Sequence, residues 1–257
     1  MRWVQIATVA SLSIASLAIT LCVAPAHAEE AALPRHAWSF GGLFGTFDRA
    51  AAQRGFQVYR EKCSTCHSLK HAYYRDLEGI GLSEEQIKSV AASVTVADTD
   101  DDGQPNERPA VPSDHFRAPF ANEKAARAAN NGALPPDLSL IIKARDGGAD
   151  YINALLTGYS EPPAGTAMGD GMNYNKYFPG HQIAMAGPLI EGMLTYGDGT
   201  PASVNQMAHD ITTFLAYVSE PETEMRKAMG VKIVLFFLVM TVVTYRVKRK
   251  IWSDVEH

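Results

Sequence analysis

Cysteine is scarce in this chain of 257 residues: there are three, at positions 22, 63 and 66. Cys22 lies in an N-terminal apolar stretch that reads as a removable leader, so the remainder keeps two, three positions apart. That leaves no second cysteine pair to complete a zinc site, and none to spare for an additional disulfide. Strand signals are few, and there is no internal repeat and no low-complexity tract. Basic residues are also short in the middle of the chain: positions 29–225 hold 15 Lys and Arg against 26 Asp and Glu, a formal charge of −11, while the whole chain carries only −5. The basic residues concentrate near the C-terminus. So acidic a middle region argues against nucleic acid as a partner and for a basic protein, attracted at long range and sensitive to salt.

The two remaining cysteines stand in Cys63-Ser64-Thr65-Cys66-His67, the C-x-x-C-H run that attaches a c-type haem. On a helix, two sulfurs three positions apart face the same way and can take up the two haem vinyl groups as thioethers. His67 follows on the same side to reach the iron. A thiol-redox pair would sit near a βαβ pattern, and the residues around 50–70 read as helical instead.

The flanks of the chain agree with a haem attached outside the cytoplasm. Met1 to Ala28 carry one early Arg2, an apolar stretch from Val4 to Val23 and the small-residue ending Ala26-His27-Ala28, the pattern of a secretory signal cleaved after Ala28. Near the other end, positions 229–247 form an apolar run long enough, at 1.5 Å per residue, to span roughly 28 Å of hydrocarbon. Arg246, Lys248, Arg249 and Lys250 crowd its far end, so the positive-inside rule places the tail 248–257 in the cytoplasm. The expected organisation is a signal at 1–28, a periplasmic haem domain at 29–225, a single membrane anchor at 229–247 and a short cytoplasmic tail.

The head reads as mainly α with long loops. Residues 53–60 predict a helix leading into the haem run, and Ser203 caps a second amphipathic helix over 203–218. Gly55 and Tyr59 are expected to pack against Phe214 and Tyr217, tying the start of the head to its end. Ser83 and Gln86 make a capping box, and Asp137 after Pro135-Pro136 is expected to cap a helix over 138–145, stopped by Gly147-Gly148. The acidic segment 98–112 resembles a calcium loop only partly, because position 109, where the closing Glu belongs, is Pro; it reads as a solvated loop. The segment 158–188 is a long loop rich in Gly, Pro, Tyr and Met, of the kind that carries function.

A His-ligated haem that carries electrons generally has a second protein ligand, and a Met thioether raises its reduction potential. Met168, Met172, Met185 and Met193 lie in or beside the long loop, and His181 and His209 are rivals by residue type. Met185, set among small residues in Ala184-Met185-Ala186-Gly187, leaves most room for a flat macrocycle. A haem enzyme such as a peroxidase would instead keep the sixth position vacant.

The segments RGFQVYREKCSTCHSLK (54–70), AARAANNGALPPDLS (125–139), ARDGGADYINALLTGYSEPPAG (144–165), YNKYFPGHQIAMAGPL (174–189) and GDGTPAS (197–203), followed by one C-terminal anchor, closely resemble the cytochrome c1 family, the haem subunits of cytochrome bc1 complexes. The resemblance implies one haem c bound through Cys63 and Cys66, with His67 and Met185 as axial ligands. It also implies Arg145 near a haem propionate, Pro135 or Pro136 beside the proximal ligand with a carbonyl there orienting the His67 ring, and Tyr151 lining the haem. By the same resemblance the chain does no bond chemistry on its own. It takes an electron from a Rieske iron–sulfur protein and hands it to a soluble basic c-type cytochrome, within a dimeric complex with cytochrome b in the bacterial inner membrane. Some family members steady the methionine loop with a disulfide; here packing must do so.

Overall fold

The computed structural model describes residues 32–254, so the signal expected at 1–28 and the last three residues of the tail lie outside the described residues. Six α-helices carry the described chain: α1 (Arg49–Glu61), α2 (Glu84–Ala92), α3 (Glu123–Ala129), α4 (Gly148–Thr157), α5 (Val204–Ser219) and α6 (Thr223–Ile251). Two small antiparallel pairs complete it: β1 (Thr95–Thr99) with β2 (Pro105–Pro109), and β3 (Asn173–Tyr174) with β4 (Gln182–Ile183). The fold is mainly helical, as the sequence predicts.

The core is built where α1 crosses α5. Asp48 caps α1 by accepting from the Ala51 N–H, and Ser203 caps α5 by accepting from the Gln206 N–H, so both helices start where a short oxygen side chain can satisfy a free donor. At the crossing a Cβ on Gly55 would overlap the Asp210 carbonyl and come within 2.8 Å of the Phe214 Cβ; only glycine allows the approach. Phe56 and Tyr59 then lie against Phe214, ring centroids 5.6 and 5.9 Å apart. Tyr217 departs from expectation. It meets Phe47 edge-on at 5.5 Å and packs on Gly79, its hydroxyl donating to the Asp76 carbonyl, because three residues along α5, nearly a full turn, carry it past the crossing to the neighbouring 3-10 segment Tyr74–Ile80.

An ion pair seals the same crossing. Arg54 grips the fully buried Asp210 with two nitrogens, at 2.9 and 3.0 Å, and reaches Asp198 at 2.8 Å. Burial pushes the Asp210 carboxyl up, but hydrogen bonds from His209, Arg54 and Gln206 outweigh it and hold the group below its ordinary value.

Two expectations are corrected. Residues 138–145 form turns rather than a helix: Asp137 Oδ1 accepts from the Ser139 N–H as a cap would, but Oδ2 is tied to Ser68 and Lys70, and the bonds that follow, such as the Ile141 N–H to the Leu138 carbonyl, close single turns only. The acidic segment is a hairpin, β1 against β2, in which Arg108 bonds Asp98 at 2.7 Å and Asp114 at 2.6 Å; among the described residues no cluster of acids assembles to hold a metal.

The expected anchor lies within α6, which starts six residues earlier and carries a window of mean hydropathy 2.1 with none of it buried in the protein. Glu224 on its first turn bonds the Phe47 N–H and both Arg49 nitrogens, so this turn belongs to the head.

Replacing Gly55 with Ala tests the crossing. Ala would gain about 1 kcal/mol of helix propensity in an isolated helix, yet the overlap forces α1 and α5 apart. The expected net result is a loss of about 1–3 kcal/mol, read as a lower denaturation midpoint in detergent.

Candidate functional site

The cysteines sit where α1 gives out. After the C-cap Lys62 the chain tightens into a 3-10 turn, Cys63–Thr65, and the Cys66 and His67 N–H groups both return to the Cys63 carbonyl, at 3.1 and 2.8 Å. Cys63, Cys66 and His67 are all half-buried, and both thiols are free. Burial, with Cys66 alongside, pushes the Cys63 thiol up to about 12.

The run from Cys66 to His71 is laced to residues 136–139, far away in sequence. His67 Nδ1 lies 2.8 Å from the Pro136 carbonyl, so Pro136 rather than Pro135 supplies the orienting oxygen. A carbonyl can only accept, which fixes the ring with its proton on Nδ1 and leaves the Nε2 lone pair for a metal. Burial lowers the His67 pKa, against the opposing pull of Pro136 and Asp137, and so favours that neutral ring. Asp137 Oδ2 accepts from Ser68 Oγ at 2.6 Å and from the Lys70 N–H at 2.8 Å; the Leu138 N–H donates to the Ser68 carbonyl, and the His71 N–H to Ser139 Oγ. Tyr59 of α1 adds a bond from its hydroxyl to the His67 carbonyl. Asp137 and Tyr59 are functional supports that sequence reasoning assigned to a helix cap and to plain packing.

A second cluster gathers around α4. Arg145 is exposed just before that helix, close enough for its charge to act on the buried Tyr151 hydroxyl, whose pKa burial raises. Tyr159, which sequence reasoning did not single out, follows α4; its ring meets Gly187, two residues beyond the half-buried Met185. The Tyr159 hydroxyl is buried without a hydrogen-bond partner, as are those of Tyr196, Thr212 and Ser219, and an additional group in the site would satisfy it. Leu138, Ile141, Tyr151 and Leu189 share one apolar core, against which Cys63 packs, so both clusters border the same interior. No hydrogen bond joins Met185 to the Cys63–His67 run among the described residues.

The rival iron ligands are placed differently. Met193 Sδ accepts from the Ile190 N–H, His209 stacks on Trp38 at 5.1 Å, and His181 stacks on Tyr174 with Nδ1 3.3 Å from the Asn175 carbonyl. Met168 and Met172 are half-buried on either side of Gly169.

The methionine segment is held without a disulfide. Asn175, fully buried, donates to the Leu155 carbonyl at the end of α4 and accepts from the Tyr177 and Phe178 N–H groups. Tyr159 bridges to Asn175, and β3 pairs Asn173 with Ile183, carrying the chain to Met185.

Taken together, two free thiols, a histidine with a fixed tautomer and an orphaned buried hydroxyl fit a covalently attached haem. Comparison with known proteins points the same way. The model of the Cytochrome C1 family matches residues 38–255. The chain is 50% identical over 225 residues to cytochrome c1, heme protein, mitochondrial, of Saccharomyces cerevisiae, covering 87% of this chain and 73% of the yeast protein. It is 45% identical over 242 residues to cytochrome c1 of Rhodospirillum rubrum, covering 88% of this chain and 89% of that one. A Candida albicans protein described as the cytochrome b-c1 complex catalytic subunit is 47% identical, over 87% of this chain and 78% of its own length.

Asp137→Ala tests the lacing. Two charge-assisted bonds to one carboxylate oxygen and a third to the other would be lost, at an expected cost of about 2–4 kcal/mol. Burial raises this carboxyl but its hydrogen bonds bring it below its ordinary value. Its contribution is therefore fully present above about pH 4 and fades as pH falls through the depressed folded value. Denaturation of the variant beside the parent should show the deficit at pH 7 and a shrinking one in acid.

Proposed function

The chain belongs to the cytochrome c1 family, and on that premise we propose that it is the haem-bearing electron-transfer subunit of a cytochrome bc1 complex, anchored by α6. We assign one haem c to Cys63 and Cys66, with His67 and Met185 as axial ligands. The observation that carries this reading is the 2.8 Å contact of His67 Nδ1 with the Pro136 carbonyl, which leaves the Nε2 lone pair free to bind iron. When bound, the haem supplies a one-electron carrier between a Rieske iron–sulfur protein and a soluble c-type cytochrome.

The remaining work falls to the protein. Cys63 and Cys66, at the end of α1, would hold the haem, each through a thioether that its S–H would make by addition to a vinyl group. Pro136 and the Asp137 clamp hold the His67 ring in place and keep its proton on Nδ1. Met185 would supply the second ligand to the iron, which would leave no open site for a substrate and suits a carrier rather than a peroxidase. Arg145 beside Tyr151 offers a guanidinium at the edge of the interior, where it can pair a propionate. Tyr151 lines the same edge. The acidic head steers a basic acceptor protein.

In the proposed organisation residues 1–28 are a cleaved signal, 29–225 the periplasmic haem domain, 229–247 the span and 248–257 the cytoplasmic tail, in a bacterial inner membrane. The basic cluster Arg246, Lys248, Arg249 and Lys250 on the last turns of α6 supports that orientation. Cytochrome b is the partner within the membrane, in a complex we take to be dimeric.

Redox-monitored visible spectroscopy of native membranes tests the ligand pair. Met185→Leu should change the reduced spectrum and lower the haem potential by on the order of 0.1 V, within the wide range that axial ligands command. An unchanged spectrum and potential would remove Met185 from the iron. Separately, the rate of acceptor reduction should fall as ionic strength rises from 0.01 to about 0.15 M, where the screening length drops from about 30 to 8 Å; a flat response would dismiss the acidic head as a docking surface.

A further inference from the structure

The segment ahead of α1 makes a tight apolar-tipped loop that the function above does not use. Phe40 points inward, stacked between Trp38 at 5.4 Å and Phe47 at 5.2 Å. Four residues on, Leu43 and Phe44 are turned out, 61% and 80% exposed. The turn between is closed by glycine: a Cβ on Gly45 would overlap the Gly41 carbonyl, so the tip is a built shape rather than slack chain.

Both stems of this loop are tied to the root of α6. Lys227 Nζ donates to the Phe40 carbonyl at 2.6 Å and to the Gly45 carbonyl at 3.1 Å. Arg49 and the Phe47 N–H bond Glu224 one turn earlier. Lys227 stands two residues before the apolar run that starts at Met229, a rise of about 3 Å along the helix axis. The loop therefore flanks α6 at the level where its side chains turn to lipid: Met225 and Met229 are 61% and 51% exposed on the same stretch. Two large apolar side chains held out at that height have a ready apolar medium beside them. A lysine whose ammonium is occupied by two loop carbonyls also enters the interface already partnered.

We propose that the Leu43-Phe44 tip inserts into the outer headgroup and acyl boundary of the bilayer, as a second membrane contact that sets the tilt of the head over its single anchor. This rests on the reading of α6 as a membrane span. The loop that carries the tip is bonded to the root of the anchor through Lys227, and one helix alone leaves the head free to rock about it.

Spin labels test this in the complete haem-loaded complex in lipid nanodiscs, with Phe44→Cys, Leu43→Cys, Val239→Cys in the middle of α6, and Asp101→Cys on the exposed hairpin tip as controls. Collision with oxygen, which concentrates in lipid, is compared with collision with a water-soluble nickel chelate. The labels at 43 and 44 should favour oxygen over nickel at least several-fold relative to the label at 101, and lie shallower than the label at 239. Preference for nickel at 43 and 44 overturns the proposal, and so does protection from both reagents, which would mean that another subunit covers the tip. If the label at 239 also favours nickel, the anchor reading itself fails; if it favours oxygen while 44 does not, only the inserted tip fails.

Discussion

The close crossing of α1 and α5 is the constraint on which the rest depends. It exists because Gly55 lets the Asp210 backbone into the space a side chain would fill, and because Arg54, one residue earlier, meets the Asp210 carboxylate from the same turn. A buried ion pair adds little net stability by itself, since desolvating two charges consumes most of their attraction. Its effect here is on register. A slide of one residue along either helix would leave a fully buried carboxylate unpaired, at several kcal/mol, so the crossing has one permitted setting. That setting fixes the end of α1, and the end of α1 is where the haem-attachment run begins.

From there regular structure stops, and side chains take over the ordering. The segments 67–71 and 136–139 belong to no strand or helix, yet their polar groups answer one another across a long sequence separation. Proline suits this arrangement for a definite reason. Pro135 and Pro136 have no N–H to satisfy, so the segment can turn a bare carbonyl toward His67 without stranding a donor behind it. Asp137 accepts what the following turn and the facing strand of chain cannot pair internally. The histidine's orientation thus comes from the backbone of a distant loop, held in turn by one carboxylate.

What could be read from sequence follows from how local each signal is. The caps at Ser83 and Ser203, the apolar face of α5 and the apolar run of α6 all depend on neighbours a turn or so away, and they stand as expected; the Gly55–Phe214 contact is the exception, a long-range pairing read from a glycine facing an aromatic. The failures share a cause. Asp137 has the right type and place for a helix cap, and its Oδ1 accepts from the Ser139 N–H as a cap would, but its Oδ2 is claimed by Ser68 and Lys70, which no local window contains. The β1–β2 hairpin is written in charged residues and prolines, and its strands are joined by Arg108 reaching Asp98 rather than by alternating apolar faces. Tyr159 carries no signal of its own beyond membership of a Tyr-rich loop; its significance comes from burial of a hydroxyl with no partner.

The methionine loop shows how far such non-local pairing can replace a covalent tie. A long segment after α4 would pay a growing entropic cost to hold one side chain in place if it were fastened only at its ends. Asn175 divides it, because a single buried amide bonds the Leu155 carbonyl near the end of α4 and two N–H groups of the turn that follows. The β3–β4 pair then doubles the chain back, and Gly187 closes on the Tyr159 ring. The free stretch that must order Met185 is thereby cut to the few residues between Ile183 and Gly187. An asparagine is sufficient for this only when fully buried, where leaving any of its polar groups unpaired costs about 1–3 kcal/mol. A disulfide resists loosening by covalent strength; this loop resists it because every partial opening strands a buried polar group.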